Sequence, residues 1–346
     1  MENVVYTFRI NLDWQLISLI SQIDRFDASW NAIERREKQN LKQLKSIATV
    51  RSVGASTRIE GSKLTDEEVD IILKDIDVTK LEDRDTQEVV GYFEVLDLIS
   101  ESYDDIHISA GDIKNLHNIL LKYSKKDEWH KGDYKQQNNA VEAKYPDGTK
   151  QTIFHTTESG FTTENSMNKL IEWYLKDEAI HPLVKCAIFS YEFLTIHPFQ
   201  DGNGRLSRLL SSLLLLKNGY KWIQYVSFEH EIEIRKLEYD KVLRTCQVQR
   251  PNENISSWVH FYFDAIKNIQ VQLMQKLQFH HTDEKLLPRE KLVVHFIQNH
   301  PGCKSGDIVK GLGISRMIVI RLLSVLINNN IVEKHGAGSG TQYTIS

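Results

Sequence analysis

The sequence has 346 residues, a length that predicts two or three domains. Of these residues 41% are hydrophobic and 26% charged, which is typical of a folded globular protein. It has no basic-then-apolar leader and no apolar run of the roughly 18 residues that a membrane span needs, so we expect a cytoplasmic protein with no membrane partner. The net charge of −4 hides a basic tail, since residues 286–346 carry seven Lys or Arg against three Asp or Glu. Such a tail allows contact with DNA or with a protein.

The three cysteines give no sign of a disulfide or metal framework. Cys186, Cys246 and Cys303 are odd in number and far apart, and no Cys-x-x-Cys pair occurs. We therefore expect three free, buried thiols.

Along most of the chain, apolar residues recur every three or four positions, which predicts a mostly helical protein. Residues 1–105 are expected to form an N-terminal helical region, with Trp14 and Trp30 as core anchors. Residues 106–265 are expected to form the central domain. The resulting fold class is all-α.

One stretch departs from the helical pattern. Residues 132–161 are mostly polar, and they contain the turn signal Tyr145-Pro146-Asp147-Gly148. Because the residues on either side of this signal alternate between apolar and polar, we predict a small β-hairpin over residues 141–154 on the helical body.

After a polar, Gln-rich helical stretch over 265–285, we place a domain boundary before Leu286-Leu287-Pro288. The tail then predicts a first helix, a short second helix ended by Gly311, and a longer third helix over 314–328. Two strands around a Gly-rich turn follow. This order is typical of a winged helix-turn-helix domain, which we assign to residues 286–346.

The segment that carries the most chemistry lies at the start of an apolar helix. Gly202 and Gly204 flank Asn203 where this helix begins, and such a turn exposes backbone N–H groups beside the positive end of the helix dipole. Arg205 and Arg208 are three residues apart and share one helix face. Together these features favour a polyphosphate.

Two side chains just ahead of this turn add a metal ligand and a base. Asp201 offers carboxylate oxygens, which Mg²⁺ prefers, and His197 is a candidate acceptor for the proton of a hydroxyl group. The alternative from these residues alone is an ordinary turn followed by two solvated arginines. A P-loop and a dinucleotide fingerprint are both excluded, because their glycine patterns are absent.

Residues 197–208 match every fixed position of the pattern His-x-Phe-x-Asp/Glu-Gly-Asn-Gly-Arg-x-x-Arg, and so the chain resembles the Fic family. The resemblance covers roughly residues 45–250. It includes His181-Pro182 and the segment 132–135, whose last residue, Lys135, is commonly Arg in relatives. It implies a Fic-type helical core with a β-hairpin flap over 141–154, and the tail resembles the winged helix of many such proteins.

The resemblance also implies an activity: a protein adenylyltransferase that transfers AMP from ATP to Ser, Thr or Tyr hydroxyl groups of a target protein. His197 would be the catalytic base, Asp201 would hold Mg²⁺, and the flap would hold the target by strand addition. The residues expected at the nucleotide are Gly202, Asn203, Gly204, Arg205, Leu206, Ser207, Arg208 and Tyr239. For Tyr239, packing in the core is the alternative.

A second motif suggests regulation. Residues 56–61 resemble the family's inhibitory pattern, Ser/Thr-x-x-x-Glu followed by Gly or Asn. Gly61 predicts a helix end, so Glu60 lies in a last helical turn, where the helix dipole disfavours a carboxylate by about 0.3–1 kcal/mol. In relatives the matching Glu pairs with the second arginine of the main motif, here Arg208, and Ser56 would steady it. The alternative is an ordinary solvated glutamate.

Three functions are consistent with these features. The first is AMP transfer, inhibited in cis by Glu60; the second is the reverse chemistry, with Glu60 orienting a water that hydrolyses AMP from a modified protein. The third is a DNA-binding regulator with the central domain as a sensor, which the basic tail over 286–346 favours. A homodimer also stays open.

Overall fold

The structure is a computed structural model, and the residues it describes are 2–81, 83–144, 150–284, 286–329, 331–336 and 338–345. The chain divides into two compact units, one ending at Leu273 and one beginning at Met274. Both units are mostly helical, as the apolar periodicity predicts. No helix in the described ranges is long and apolar enough to cross a membrane.

In the described ranges, ten α-helices lie wholly within the first unit. In chain order, α1 to α10 span Trp14–Arg36, Lys38–Ile59, Asp66–Lys74, Arg84–Ser102, Ala110–Leu120, Phe161–Lys176, Pro182–Ile196, Asn203–Lys217, Phe228–Ile234 and Lys236–Gln247. A further helix, α11 (Ser256–Glu284), begins in the first unit and ends in the second. Helices α7 and α8 pack on each other and are buried along nearly their whole length, so they form the centre of the unit.

The turn between α2 and α3 has the signals that the sequence predicts. Gly61 has φ +107°, a conformation that favours glycine, directly after the end of α2. The capping box at Thr65 is present: Thr65 Oγ1 accepts from the Glu68 N–H, and the Glu68 carboxylate accepts from the Thr65 N–H. These two signals fix where α2 stops, and therefore where Glu60 lies.

The predicted hairpin is present as strands β3 (Ala140–Lys144) and β4 (Lys150–His155), which pair antiparallel. The turn signal over 145–149 lies outside the described residues. A second hairpin, β1 (Glu2–Val5) and β2 (Phe8–Asn11), was not predicted. The sequence signal of β2 is only four residues long, which is too short to show a period of two.

Trp14 and Trp30 were both predicted to anchor the core, and the prediction is wrong for Trp14. Trp30 is 2% exposed and anchors the core, but Trp14 is 85% exposed. The buried stripe of α1 starts at Leu16 and continues at Leu19 and Ile23. Trp14 precedes Leu16 by two residues, which places it about 200° around the helix from that stripe.

The second unit has its own core. Its elements are α12 to α14 (Pro288–Asn299, Ser305–Leu312, Arg316–Asn328) and the antiparallel strands β5 and β6 (Val332–His335, Gln342–Ile345). Gly311 lets α13 approach α12, because a Cβ there would lie 2.1 Å from Phe296 Cε2. Helix α13 thus continues through Gly311 to Leu312 and is capped by Gly313, two residues later than predicted. The assignment of these elements as a winged helix stays a prediction.

The three cysteines are free and buried, as expected.

Candidate functional site

The candidate site lies in the loop between α7 and α8. Helix α7 begins with His181 as its N-cap and Pro182 in its first turn, and it ends at His197, which has φ +52° and ψ +62°. A left-handed conformation costs a residue with a Cβ about 1–2 kcal/mol, so the surrounding structure must hold His197 in place. Gly202, the N-cap of α8, has φ +79°, which only glycine adopts at no cost.

Asn203 fastens this loop to the start of α8. Its side-chain oxygen accepts from the Phe199 N–H at 2.9 Å, and its amide nitrogen donates to the Phe199 carbonyl at 2.7 Å. The side chain is therefore engaged within the loop.

His197 is arranged to accept a proton. Its Nδ1 lies 3.4 Å from the Leu194 carbonyl oxygen, which suits an Nδ1–H donor and leaves the lone pair on Nε2. Burial and the charge of Lys135 lower the pKa of His197 to about 4, although Glu60 and Asp201 act in the opposite direction. The imidazole is thus neutral at pH 7, which is the form a general base needs.

Asp201 is an ionised carboxylate at the edge of the site. Oδ1 accepts from the Gly202 N–H at 2.6 Å and from Arg205 at 3.2 Å, and Lys126 Nζ lies 3.5 Å from Oδ2. Burial alone would raise the pKa of Asp201, but the charge of Arg205 and the Gly202 N–H outweigh it, so the pKa is lowered.

This carboxylate fits a hard cation such as Mg²⁺. Its side chain is 34% exposed, so water and phosphate oxygens can complete a coordination shell. In the described part of the chain, no group of three or more His, Cys, Asp or Glu forms a metal cage. Mg²⁺ at Asp201 would therefore need oxygens from the nucleotide and from water.

The two arginines of the motif have different surroundings. Arg205 is buried between two carboxylates, with NH1 3.2 Å from Glu88 Oε1 and NH2 3.2 Å from Asp201 Oδ1. Arg208 is equally buried, but its Nε and NH2 donate to the hydroxyl and the carbonyl of Ser56 at 2.8 and 3.1 Å. Arg205 is thus paired with the loop and with α4, whereas Arg208 is paired with the end of α2.

Glu60 lies against the first turn of α8. Arg208 NH2 donates to Glu60 Oε1 at 2.9 Å, and a Cβ on Gly204 would lie 2.6 Å from the same oxygen. The first N–H groups of a helix have no intrahelical acceptor, so this turn attracts an anion. The carboxylate of Glu60 stands in the place where a phosphate would be favoured.

The charge state of Glu60 agrees with this position. Burial alone would raise the pKa of Glu60, but the charges of Arg208 and Arg205 and the hydrogen bond from Arg208 lower it. Glu60 is therefore ionised at pH 7.

The side chains of three other predicted nucleotide residues lie in the core. Leu206 is fully buried, and Ser207 Oγ lies 3.2 Å from Ser190 Oγ. The ring of Tyr239 packs 5.5 Å from that of Trp258. Their contact with a nucleotide stays a prediction.

His117 is a residue of the site that sequence reasoning missed. It lies on α5, accepts the Gly132 N–H on Nδ1 at 2.9 Å, and places Nε2 3.0 Å from the Asp201 carbonyl oxygen. Its ring stacks on Phe199 with the centroids 3.8 Å apart. His117 therefore holds the loop in place through the Asp201 carbonyl and the Phe199 ring. A lone histidine on an apolar helix face gave no signal of this role.

Arg58 also went unnoticed. It joins the end of α2 to α9, since its Nε and NH2 donate to the two carboxylate oxygens of Glu233 at 2.6 and 3.1 Å. Its NH1 donates to the Leu64 carbonyl and lies 2.9 Å from Asp66 Oδ1. Arg58 thus fixes the helix end that carries Glu60. The residue lies inside the 56–61 motif, at a position where the pattern allows any residue.

The model of the Fic/DOC family matches residues 107–215, a range that contains both His117 and the loop from His197 to Arg208. The protein adenylyltransferase Fic of Drosophila melanogaster is 26% identical over 207 residues, which are 58% of this chain and 39% of the relative. That of Nematostella vectensis is 44% identical over 59 residues, 16% of this chain and 14% of the relative. The chain thus spans about two fifths or less of the length of these relatives.

Solved structures share the fold. A Fic family protein from Desulfovibrio desulfuricans aligns with a TM-score of 0.64 at 22% identity and covers 97% of both chains. A Fic domain-containing signaling protein from Bacteroides thetaiotaomicron aligns with a TM-score of 0.56 at 21% identity, over 74% of this chain and 94% of its own. At this level of identity the likeness establishes a Fic fold.

Proposed function

We propose that this chain is a protein adenylyltransferase that moves AMP from ATP to a hydroxyl group of a target protein, and that its own Glu60 inhibits it. The observation that carries the proposal is the carboxylate of Glu60 on the first turn of α8, held by Arg208. A site that binds this anion suits a nucleotide phosphate. Relatives named as adenylyltransferases support the same chemistry.

In this reaction, His197 Nε2 accepts the proton of the target hydroxyl while the hydroxyl oxygen attacks the α-phosphorus. The bond from that phosphorus to the bridging oxygen breaks, and pyrophosphate leaves with the electron pair. The N–H groups of Asn203 and Gly204 and the guanidinium of Arg208 stabilise the phosphate charge. Asp201, oriented by Arg205, would hold Mg²⁺, which would neutralise charge on the α- and β-phosphates.

The target is proposed to dock on the flap, because among the described residues β3 and β4 pair as strands only with each other, which leaves each strand an edge for strand addition. An added strand would bring the hydroxyl-bearing residue beside His197, since the strands begin and end next to the loop that carries it: Asn139 donates to the Phe199 carbonyl at 3.0 Å.

Glu60 and the γ-phosphate compete for Arg208. A charge-assisted hydrogen bond contributes about 1.5–3 kcal/mol, so removing the carboxylate should raise AMP transfer by about 10- to 200-fold. Arg208→Ala should not reproduce this gain, because the phosphate also needs Arg208.

The test is to incubate wild type, Glu60→Gly and Arg208→Ala with each α-³²P-labelled nucleotide, Mg²⁺ and a cell lysate. We expect Glu60→Gly to give strong labelling with ATP, and we expect EDTA or an added Asp201→Ala change to remove it. Glu60→Gln is the matched control, since it keeps the side-chain size and loses only the charge. Equal labelling by wild type and Glu60→Gly would show that residues 56–61 are an ordinary helix end.

One detail favours the reverse activity as a second candidate. Among the hydrogen bonds of the described residues, Arg208 engages Oε1 of Glu60, which leaves Oε2 free to orient a water. Such a water would attack the phosphorus of an AMP-modified protein, with its proton passing to Glu60. The bond from that phosphorus to the side-chain oxygen of the target breaks, AMP is released, and the leaving oxygen takes up a proton from solvent to restore the hydroxyl group. To separate transfer from hydrolysis, a target protein is first labelled by Glu60→Gly and then incubated with wild type or with fresh Glu60→Gly. If the label is lost with wild type and retained with Glu60→Gly, the chain hydrolyses AMP from the target.

The exposed face of α14 does not single out DNA as the partner of the second unit. It carries Arg316 and Arg321, which suit phosphates, beside Met317 (82% exposed) and Ile320 (49% exposed), which suit an apolar protein surface. A DNA or protein contact through 286–346 thus remains a proposal alongside the enzyme activity.

A further inference from the structure

Lys135 is a nearly fully buried lysine, 1% exposed, in the loop before β3. Its ammonium donates to Asn139 Oδ1 at 3.0 Å, to Thr156 Oγ1 at 2.7 Å and to the Ile196 carbonyl at 3.1 Å. These acceptors are uncharged, so they satisfy the three donors without neutralising the charge. Burying such a charge is costly, and burial lowers the pKa of Lys135 to about 8.

Lys135 holds the backbone on both sides of His197. Its ammonium binds the carbonyl of Ile196, one residue before, and its own N–H donates to the carbonyl of Pro198, one residue after, at 2.8 Å. Between these two anchors His197 adopts its left-handed conformation. A single residue thus spans the turn that carries the imidazole.

Residues at both ends of the hairpin also hydrogen-bond to the backbone around His197. Thr157, just after β4, donates to the Ile196 carbonyl at 2.7 Å, and Asn139, just before β3, donates to the Phe199 carbonyl. Lys135 joins them, because Asn139 and Thr156 both accept from its ammonium. The base of the flap and the turn at His197 therefore form one network with Lys135 in the middle.

We propose that Lys135 is a positioning residue for His197: it fixes the left-handed turn, and its charge keeps the imidazole in the form that accepts a proton. The inference rests on the proposed function and assigns a role to a residue outside the 197–208 motif. The charged groups with the largest effects on the pKa of the ring are Lys135, Glu60 and Asp201. Lys135 opposes its protonation, whereas Glu60 and Asp201 favour it.

The balance among these charges matters most when a nucleotide is bound. Phosphates add negative charge near the carboxylates, and this charge favours the protonated ring. Lys135 offsets that effect, so His197 stays available as a base. After His197 has taken the proton, the same ammonium favours its release.

The test is an NMR titration of His197 in the full chain with ¹³C-labelled histidine, assigned with His197→Ala. We expect the ring to titrate near pH 4 in wild type, as its lowered pKa of about 4 implies, and to do the same in Lys135→Arg. In Lys135→Met and Lys135→Gln the pKa should be higher by at least about one pH unit, because a nearby like charge has gone. Lys185→Met is the control, since Lys185 lies on α7, the helix that ends at His197, but its ammonium lies over the Tyr174 ring.

An unchanged pKa of His197 in a folded Lys135→Gln or Lys135→Met protein would overturn the proposal. If both variants fail to fold, wild type and Lys135→Arg decide it. Since the pKa of Lys135 is about 8, the His197 resonance of wild type should show a second step near that pH, and Lys135→Arg should remove it. Absence of that step in wild type would contradict the proposal. The titration needs no AMP transfer, so its result stands apart from the proposed function.

Discussion

Helices α7 and α2 each deliver one functional side chain at their C-terminal ends, but they hold it in different ways. His197 follows a helix that is buried along nearly its whole length, and hydrogen bonds from the ammonium and the backbone N–H of Lys135 hold the carbonyls on either side of it. Glu60 follows a helix that is also buried over its last turns, but the Glu60 side chain itself is 34% exposed and is held by one hydrogen bond from Arg208.

The difference matches the two proposed roles. A catalytic base must keep its position through the reaction, and a buried, cross-linked turn provides that. An inhibitory group must give way to the substrate, and a carboxylate that is a third exposed can be replaced on Arg208 by a phosphate. Ser56 keeps Arg208 in place through two hydrogen bonds, so the guanidinium can stay where it is while its anion changes.

The largest effect is expected from removing His197, the side chain that is held rigidly. In a Glu60→Gly background, His197→Ala should lower AMP transfer by ~10²–10⁴-fold, because the hydroxyl proton loses its acceptor. ATP affinity, measured by calorimetry, should change little, since the imidazole proposed here as a base binds no phosphate. Labelling at the parent rate would remove His197 from the role of base.

A smaller effect is expected from weakening the contacts that hold the helix end with Glu60. Arg58 ties the end of α2 to α9 through a partly exposed ion pair with Glu233, with side chains 21% and 23% exposed. Such a pair contributes about 0.5–1 kcal/mol, so Arg58→Met should raise AMP transfer by about 2- to 5-fold.

Lys45→Met is the matched control for this change. Lys45 is also on α2 and pairs with Glu101 at 2.7 Å, but it lies four turns before Glu60 and should leave AMP transfer unchanged. In a Glu60→Gly background, Arg58→Met should add nothing, because the group it positions is absent. A further gain there would show that Arg58 acts on the site by another route.

The contrast between the two helix ends also explains what the sequence could predict. The residues from His197 to Arg208 are local, so a loop with a base, a carboxylate and an N–H nest at the start of α8 follows from their order. The contact between Glu60 and Arg208 joins residues far apart in the chain, and only the family resemblance nominated it. The structure brings the two side chains within 2.9 Å.

The directions in which the side chains point could not be predicted from the sequence. Asn203 and Arg205 both looked free for a nucleotide, but one binds Phe199 and the other lies between Glu88 and Asp201. Lys135 acts on a turn that is more than sixty residues away, as its bond to Ile196 shows. These directions depend on which elements pack together, and apolar periodicity carries no such information.

The smallest expected effect is on stability and depends on pH. The pKa of Glu60 is lower in the folded protein than its usual value, mainly because of Arg208 once the cost of burial is overcome. Ionised Glu60 therefore stabilises the fold above the unfolded-state pKa of about 4.3, and this contribution is lost as the pH falls through the lower folded-state pKa. Because solvent partly screens a side chain that is a third exposed, we expect the lower end of the range given above, about 1.5 kcal/mol, or ~3 °C in melting temperature.

The measurement compares the melting temperatures of wild type and Glu60→Gln between pH 7 and pH 3. Wild type should melt higher at pH 6, and the difference should close as the carboxylate is protonated. Glu101→Gln is the control, because Glu101 pairs with Lys45 while its side chain is 64% exposed, so solvent screens the pair and its removal should change less. If Glu60→Gln melts with wild type at every pH, the ion pair adds nothing to the fold. Glu60 would then be still easier for a phosphate to displace, and the two helix ends would differ more than the geometry indicates.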